Sequence, residues 1–338
     1  MEEREYYCRG KARRRIVTTL CAMAAGFLLT AALAAPLGAQ TYPSKPIHLI
    51  TPFPAGGGAD IAGRIIGEKL TERLGQPVIS DNRPGAAGNI GLEFTAKARP
   101  DGYTIVITTP TVTISPSLYK KLNYDPVKDF DPIALVAQVP NLILVRSSLP
   151  VKNLAEFVEY AKARPGKLNF GGSGIGSSTH LATILFMSLA KINLVNVTYK
   201  GSSQALIGLI GGEVDLVLIG PPSAMAHIQS GKLRALAVLS KERLAALPDV
   251  PTIKETGIEN SEVTTWYGLL APARTPREIV NRLNAEWNKV AALPDTRQKL
   301  QNAGFETMTS SPEQFAELIK AEIPRWAKVI KEGNVKID

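Results

Sequence analysis

The chain has 338 residues, 45% hydrophobic and 20% charged, which fits an α/β protein of about two domains without internal repeats or low-complexity runs. Its formal charge of +9 includes six basic and three acidic residues of the first 39, leaving +6 beyond them. With no long Lys/Arg run after residue 40, nucleic-acid binding has little support, and a mild positive field favours capture of small anions instead.

The amino terminus reads as an export leader, residues 1–39. Arg9, Lys11 and Arg13 to Arg15 form a basic region, Ile16 to Ala35 is uncharged and apolar, and Leu37-Gly38-Ala39 offers small residues for cleavage near Ala39. The apolar run is long enough for an uncleaved anchor, but Pro36 and Gly38 at its end favour cleavage. The residues flanking Arg13 to Arg15 fit general secretion better than the twin-arginine route, and Leu20 before Cys21 argues against a lipid anchor. Cys8 and Cys21 are the only cysteines, so the mature chain has no disulfide, thiolate nucleophile or cysteine metal site.

The stretch His48 to Asp60 predicts a short buried strand, a Pro-bounded turn, the glycines Gly56 to Gly58, and a helix carrying Ile61, Ile65, Ile66 and Leu70 at helical spacing. A strand, a bare backbone loop and a helix start make an anion site, because the first N–H groups of a helix lack internal partners. The loop matches neither the dinucleotide fingerprint, which requires glycine where Ile61 stands, nor a phosphate loop, so an ordinary strand-to-helix turn remains an alternative. A second glycine-lined helix start follows strand Val78 to Ser80, over Arg83-Pro84-Gly85-Ala86-Ala87-Gly88. The third strand, Thr104 to Thr108, releases Thr109 at its carboxyl end, where ligands of open α/β sheets gather.

Apolar stretches Ile133 to Val139 and Leu142 to Val145 carry the chain into a second lobe, where the alternation restarts. Its glycine loop, Gly171 to Ser178, ends at a helix start that Ser177 or Ser178 is placed to cap. Strand Thr265 to Ala271 returns to the first lobe, closed by helices Pro276 to Ala292 and Pro312 to Lys331. The expected lobes are residues 43–141 with 266–338, and 142–265, and two crossings between them make a hinge. Trp266 and Tyr267 are candidates for either cleft lining or core packing.

Catalytic sets are scarce. The three histidines, His48, His180 and His227, lie on different elements, and Gly171 to Ile175 lacks the final glycine of a nucleophile elbow. Only His180, next to Ser178 and Thr179, offers a general base. No metal or cofactor is expected.

Tyr42-Pro43-Ser44-Lys45-Pro46-Ile47, the Phe53-Pro54-Ala55-Gly56-Gly57 loop ending in Asp60, Asn82 to Gly91, Asp101-Gly102-Tyr103-Thr104, Tyr199-Lys200-Gly201-Ser202, Gly211 to Asp215 and Trp266 to Pro272 resemble the Bug family. These are the TctC-like substrate-binding proteins of tripartite tricarboxylate transporters. The resemblance implies an α/β, two-lobed periplasmic binding protein fold, type II-like, closing on a small carboxylate and serving a transporter's membrane subunits as a monomer. It implies contributions from Phe53, Pro54, Ala55, Gly56 and Gly57, from Arg83, Pro84, Gly85, Ala86 and Gly88, and from Thr109, Ser173, Ser177 and Ser178. The chain departs from many relatives at Ile219, where they carry an acid, and at Ser115, where they carry asparagine. A neutral wall at Ile219 is expected to disfavour amino acids and to suit an aromatic or aliphatic mono- or dicarboxylate. The other readings are a hydrolase using Ser177 or Ser178 with His180, and the ligand-sensing half of a transcription regulator, for which no DNA-binding helix pair is present.

Overall fold

The computed structural model describes residues 42–258 and 263–332; the expected leader and its cleavage point lie outside the described residues. The elements below belong to one compact unit that begins at Lys45.

In chain order these are β1 (Ile47–Thr51), α1 (Gly58–Leu74), β2 (Val78–Asn82), a short 3-10 turn (Ala86–Gly88), α2 (Asn89–Ala96), β3 (Thr104–Thr108), α3 (Thr111–Leu118), β4 (Phe130–Pro140) and β5 (Leu142–Arg146). There follow α4 (Leu154–Lys162), β6 (Asn169–Gly172), α5 (Ser178–Ala190), β7 (Val195–Thr198), α6 (Ser202–Gly211), β8 (Leu216–Ile219), α7 (Pro221–Gln229) and β9 (Leu233–Val238). The chain then returns through β10 (Thr264–Pro272), α8 (Arg277–Ala292), α9 (Pro294–Asn302), β11 (Glu306–Thr307) and α10 (Pro312–Glu332). The pattern predicts most of these; α9 and β11 are additions, and α3 begins earlier than the short turn expected from Ser115.

Two sheets result, ordered β11-β4-β10-β3-β1-β2 and β7-β6-β8-β5-β9. In each, a parallel trio meets one antiparallel strand: β10 lies between β3 and β4, and β5 lies between β8 and β9. Each sheet thus repeats the order second, first, third, crossing strand, fourth. Such strands, covered on both faces, read as continuous apolar runs. Ile105 to Ile107 and Leu142 to Val145 are accordingly fully buried.

Period-two alternation divides the second sheet's strands between two cores. Ile143, Val145, Leu216 and Leu218 pack with Phe157, Phe170 and Phe186, whereas Leu142, Leu144, Val217 and Ile219 pack with Leu206 and Leu209. The first lobe's core joins Ile50, Val106, Trp266, Phe315 and Ile319.

Helix α10 serves both lobes. Phe315 and Ile319 enter the first core, but Trp326 and Ile330 enter the second with Ile114 of α3. Between them sits buried Glu322, whose Oε2 accepts from Trp266 Nε1 (2.9 Å), Trp326 Nε1 (3.2 Å) and Thr113 Oγ1 (3.3 Å). Apolar faces alone would leave two buried indole N–H groups without acceptors, and one carboxylate satisfies both. Glu322→Ala is therefore expected to lower unfolding free energy by about 2–5 kcal/mol. Arg325→Ala, which removes only a 60% exposed partner of Glu322, should cost less than about 1 kcal/mol; denaturant titration of both variants checks the contrast.

Candidate functional site

A cavity of about 50 Å³ lies where the carboxyl ends of β1, β3 and β6 face the hinge strand β10. It is lined by Phe53, Gly57, Gly58 and Ala59 before and within α1, and by Thr109 and Thr111 at the start of α3. The second lobe adds Ser173, Ser177, Ser178 and Thr179 at the start of α5 and Ser202 at the start of α6, and β10 adds Thr265 and Tyr267. No lining residue is acidic, basic or histidine, and nine of the thirteen carry a hydroxyl, so the lining is polar without formal charge.

Local sequence explains the donors. Helix α1 starts after Gly57 and α6 after Gly201, with no side chain capping either, so their first N–H groups face the cavity uncapped. In α5 the cap is Ser177, which accepts from His180 N at 3.2 Å. Ser173 Oγ, in a side chain 4% exposed, has no hydrogen-bond partner among the described residues. A buried hydroxyl left unpaired is uncommon and marks a place for a ligand or water.

The carboxylate of Asp60, next in sequence to the lining residue Ala59, is taken up by its own partners. Asp60 accepts from Gly56 N (3.0 Å), Asn82 Nδ2 (2.9 Å) and Arg64 Nε (3.0 Å), tying the first loop to β2 and α1. Burial pushes its carboxyl up, but the bonds from Arg64, Gly56 and Asn82 outweigh that and hold it below the usual carboxylate range.

Of the residues expected from sequence, Phe53, Gly57, Thr109, Ser173, Ser177 and Ser178 meet in this cavity. Pro54, Ala55 and Gly56 lie on its rim side instead: a Cβ on Gly201 would meet Pro54 at 2.5 Å, Ser223 Oγ donates to Gly56 O at 3.3 Å, and Ala55 is exposed. The second loop also stays off the lining. Arg83 pairs with Asp81 at 2.9 Å and stacks over Phe94, Pro84 is exposed, and Gly85 (φ 139°) and Gly88 (φ 101°) turn the backbone so that Gly88 backs Phe53. Ala86 offers its carbonyl to Tyr119 Oη at 3.2 Å, and the same hydroxyl lies 3.4 Å from Ile175 O of the other lobe.

Ile219 is not a wall of this cavity. It is 1% exposed inside the second lobe's core, because alternation along β8 sends it to the face opposite Leu218. Ser115 is likewise buried within α3. The same alternation separates the aromatic pair: Tyr267 lines the cavity, and Trp266 packs edge-on to Phe315.

Gly58 belongs to the glycine run read from the sequence and Thr179 to the start of its second-lobe helix, yet neither was among the expected ligand contacts, and Ala59 lies between Gly58 and Asp60. Ser202 carried a signal, a glycine before an apolar helix. Thr111 shared with Thr109 the signal of a strand's carboxyl end, and Thr265 carried none that strand or helix patterning reveals.

The Ser–His arrangement is not assembled. His180 Nδ1 accepts from Gly176 N at 3.4 Å, while Ser177 Oγ meets Thr179 Oγ1 and Ser178 Oγ meets Thr265 Oγ1. Burial depresses the His180 pKa to about 4.

Residues 62–335 match the sequence model of the tripartite tricarboxylate transporter family receptor, TctC. Among solved structures, the chain is similar to the periplasmic binding protein BugD, with 35% identity, TM-score 0.84, and 87% of this chain and 99% of that chain covered. It is similar to Rpa4515 of R. palustris, solved with adipate, at 37% identity and TM-score 0.85, covering 87% and 99%. MatC (Rpa3494) from Rhodopseudomonas palustris, solved with bound malate, is 33% identical at TM-score 0.81, covering 86% and 100%.

Two measurements probe the geometry. A Cβ on Gly58 would stand 2.4 Å from Tyr267 Oη, and that ring is held by Phe305, so Gly58→Ala should destabilise the protein by about 1–3 kcal/mol. In a Tyr267→Phe background the loss should shrink, and a double-mutant cycle by chemical denaturation reads the coupling. For His180, the folded pKa lies below the unfolded one, so the unfolded chain binds more protons between about pH 4 and 6.5 and stability falls as pH drops through that window. His180→Gln should flatten this slope by roughly 3 kcal/mol over the window, measured by denaturant midpoints at successive pH values.

Proposed function

The chain belongs to the family of tripartite tricarboxylate transporter receptors, and from that premise we propose that it captures a small dicarboxylate between its lobes and delivers it to the membrane subunits of such a transporter. Family and structural neighbours are solute-binding proteins, so the chain is a binding protein and not an enzyme. Its fold is the two-lobed periplasmic binding protein fold. In our reading it works outside the cytoplasmic membrane as a monomer, after cleavage of the leader near Ala39. Among the described residues no helix is long and apolar enough to cross a membrane.

The observation that carries the ligand class is the meeting of uncapped helix starts from both lobes on a hydroxyl-lined, uncharged cavity. Each helix start favours an anion by about 0.3–1 kcal/mol, up to about 2 where partly buried. Several such N–H groups with hydroxyl donors are therefore needed for micromolar binding, near −8 kcal/mol. The lining holds no carboxylate to pair an ammonium, which disfavours amino acids. Its many hydroxyls suit a ligand polar at both ends, which, of the acids expected from sequence, favours a dicarboxylate over an apolar or aromatic monocarboxylate. Adipate and malate in two relatives support that choice.

Calorimetric titration of the mature chain with adipate, malate, benzoate and aspartate tests the reading. A dicarboxylate should bind tightest, in the micromolar range, and Ser173→Val should weaken it by about tenfold. Tightest binding of aspartate, or no binding of any acid, overturns it.

A further inference from the structure

Resting on the carboxylate reading, we infer that Asn141 and Thr265 form a hydrogen-bond relay that orients the Ser178 hydroxyl toward the bound anion. Asn141 is the single residue between β4, in the first sheet, and β5, in the second. It is fully buried. Its N and Nδ2 both donate to Val263 O, at 3.3 and 3.0 Å, and its own carbonyl accepts from Leu239 N at 2.8 Å. These bonds tie one crossing of the chain to the other.

The rest of the amide faces the cavity side. Both Nδ2 and Oδ1 lie 3.4 Å from Thr265 Oγ1, and Thr265 Oγ1 lies 3.4 Å from Ser178 Oγ. Thr265 and Ser178 line the cavity, and all three side chains are buried. A hydroxyl has one proton to give, so the direction of this chain depends on its ends. Without an anion, Thr265 can donate to Asn141 Oδ1. With a carboxylate present, Ser178 donates to it, Thr265 donates to Ser178, and Asn141 Nδ2 donates to Thr265.

Only an amide serves both directions without moving, since it presents a donor and an acceptor to the same oxygen. An aspartate there accepts only, and it fixes the Thr265 proton away from the cavity. Contacts of 3.4 Å are long for hydroxyl bonds. A chain polarised by an anion strengthens each member, which is the gain the relay supplies. Asn141 is thus a positioning residue, acting through Thr265.

The test titrates adipate and malate by calorimetry into the mature chain and its Thr265→Ser, Thr265→Val and Asn141→Asp variants, with the ligand-free melting temperature recorded for each. Thr265→Ser keeps the hydroxyl and should bind within about twofold of the parent. Thr265→Val and Asn141→Asp should each bind about tenfold or more weakly, and Thr265→Val, though it leaves Asn141 Oδ1 without a donor, should still melt in one cooperative transition. Thr265→Val combined with Asn141→Asp in one chain should be little weaker than either single variant, since both interrupt one chain of bonds. Unchanged affinity in Thr265→Val, or losses that multiply in the double variant, overturns the relay alone. A parent that binds neither acid overturns the relay and the ligand reading together. Should Asn141→Asp not fold, the serine and valine substitutions at Thr265 decide the question.

Discussion

A helix cannot satisfy its own first N–H groups, and this chain brings the starts of α1, α5 and α6 to one small cavity. Those groups need an acceptor, and an anion meets the need without any side-chain cation. The rest of the cleft follows from keeping that field positive. Asp60, at the mouth of the first helix, is saturated by Gly56, Asn82 and Arg64 and so braces the loop without adding negative charge to the lining. Hydroxyls make up most of the remaining lining, and a hydroxyl can accept or donate.

Closing two lobes on such a cavity requires the lobes to meet elsewhere without clashing. Glycines make that approach possible where a side chain would collide, at Gly176 against Leu118 and Gly220 against Val139 among other places. A Cβ on Gly201 would strike Pro54 at 2.5 Å, and one on Gly304 would strike Pro221 at 2.8 Å. The loops expected to hold ligand therefore differ in place: Gly57 reaches the cavity, Pro54 and Gly56 meet the second lobe, and Ala86 holds Tyr119, whose hydroxyl reaches Ile175 O of that lobe. The hinge itself is narrow. One residue, Asn141, separates the two sheets on the first crossing, and α10 adds a third link through Glu322 and its two tryptophans.

Membership in the receptor family and the solved relatives fit this geometry, since a protein of this kind needs recognition and release and no chemistry. His180 illustrates the difference. It is buried against Phe170, its Nδ1 is occupied by Gly176 N, and its low pKa keeps it neutral. Such a histidine supports the start of α5.

Much of the fold was legible along the chain. Alternating apolar strands, helical spacing and glycines before helix starts marked nearly every element, because burial of a strand or of one helix face leaves a short-range pattern. The helix-start residues Gly57, Ser177 and Ser178 were legible for the same reason: a bare loop before an apolar helix is a local signal. Short α9 and two-residue β11 have too few residues to set a period. What tertiary structure alone decided was which side each strand residue faces and which distant residues meet. Ile219 and Tyr267 read alike as candidate walls, yet parity along β8 buries the first and parity along β10 presents the second. Thr265, Asn141 and Ser178 lie far apart in sequence and meet only because one strand crosses beside another, and no local pattern encodes a contact that topology makes.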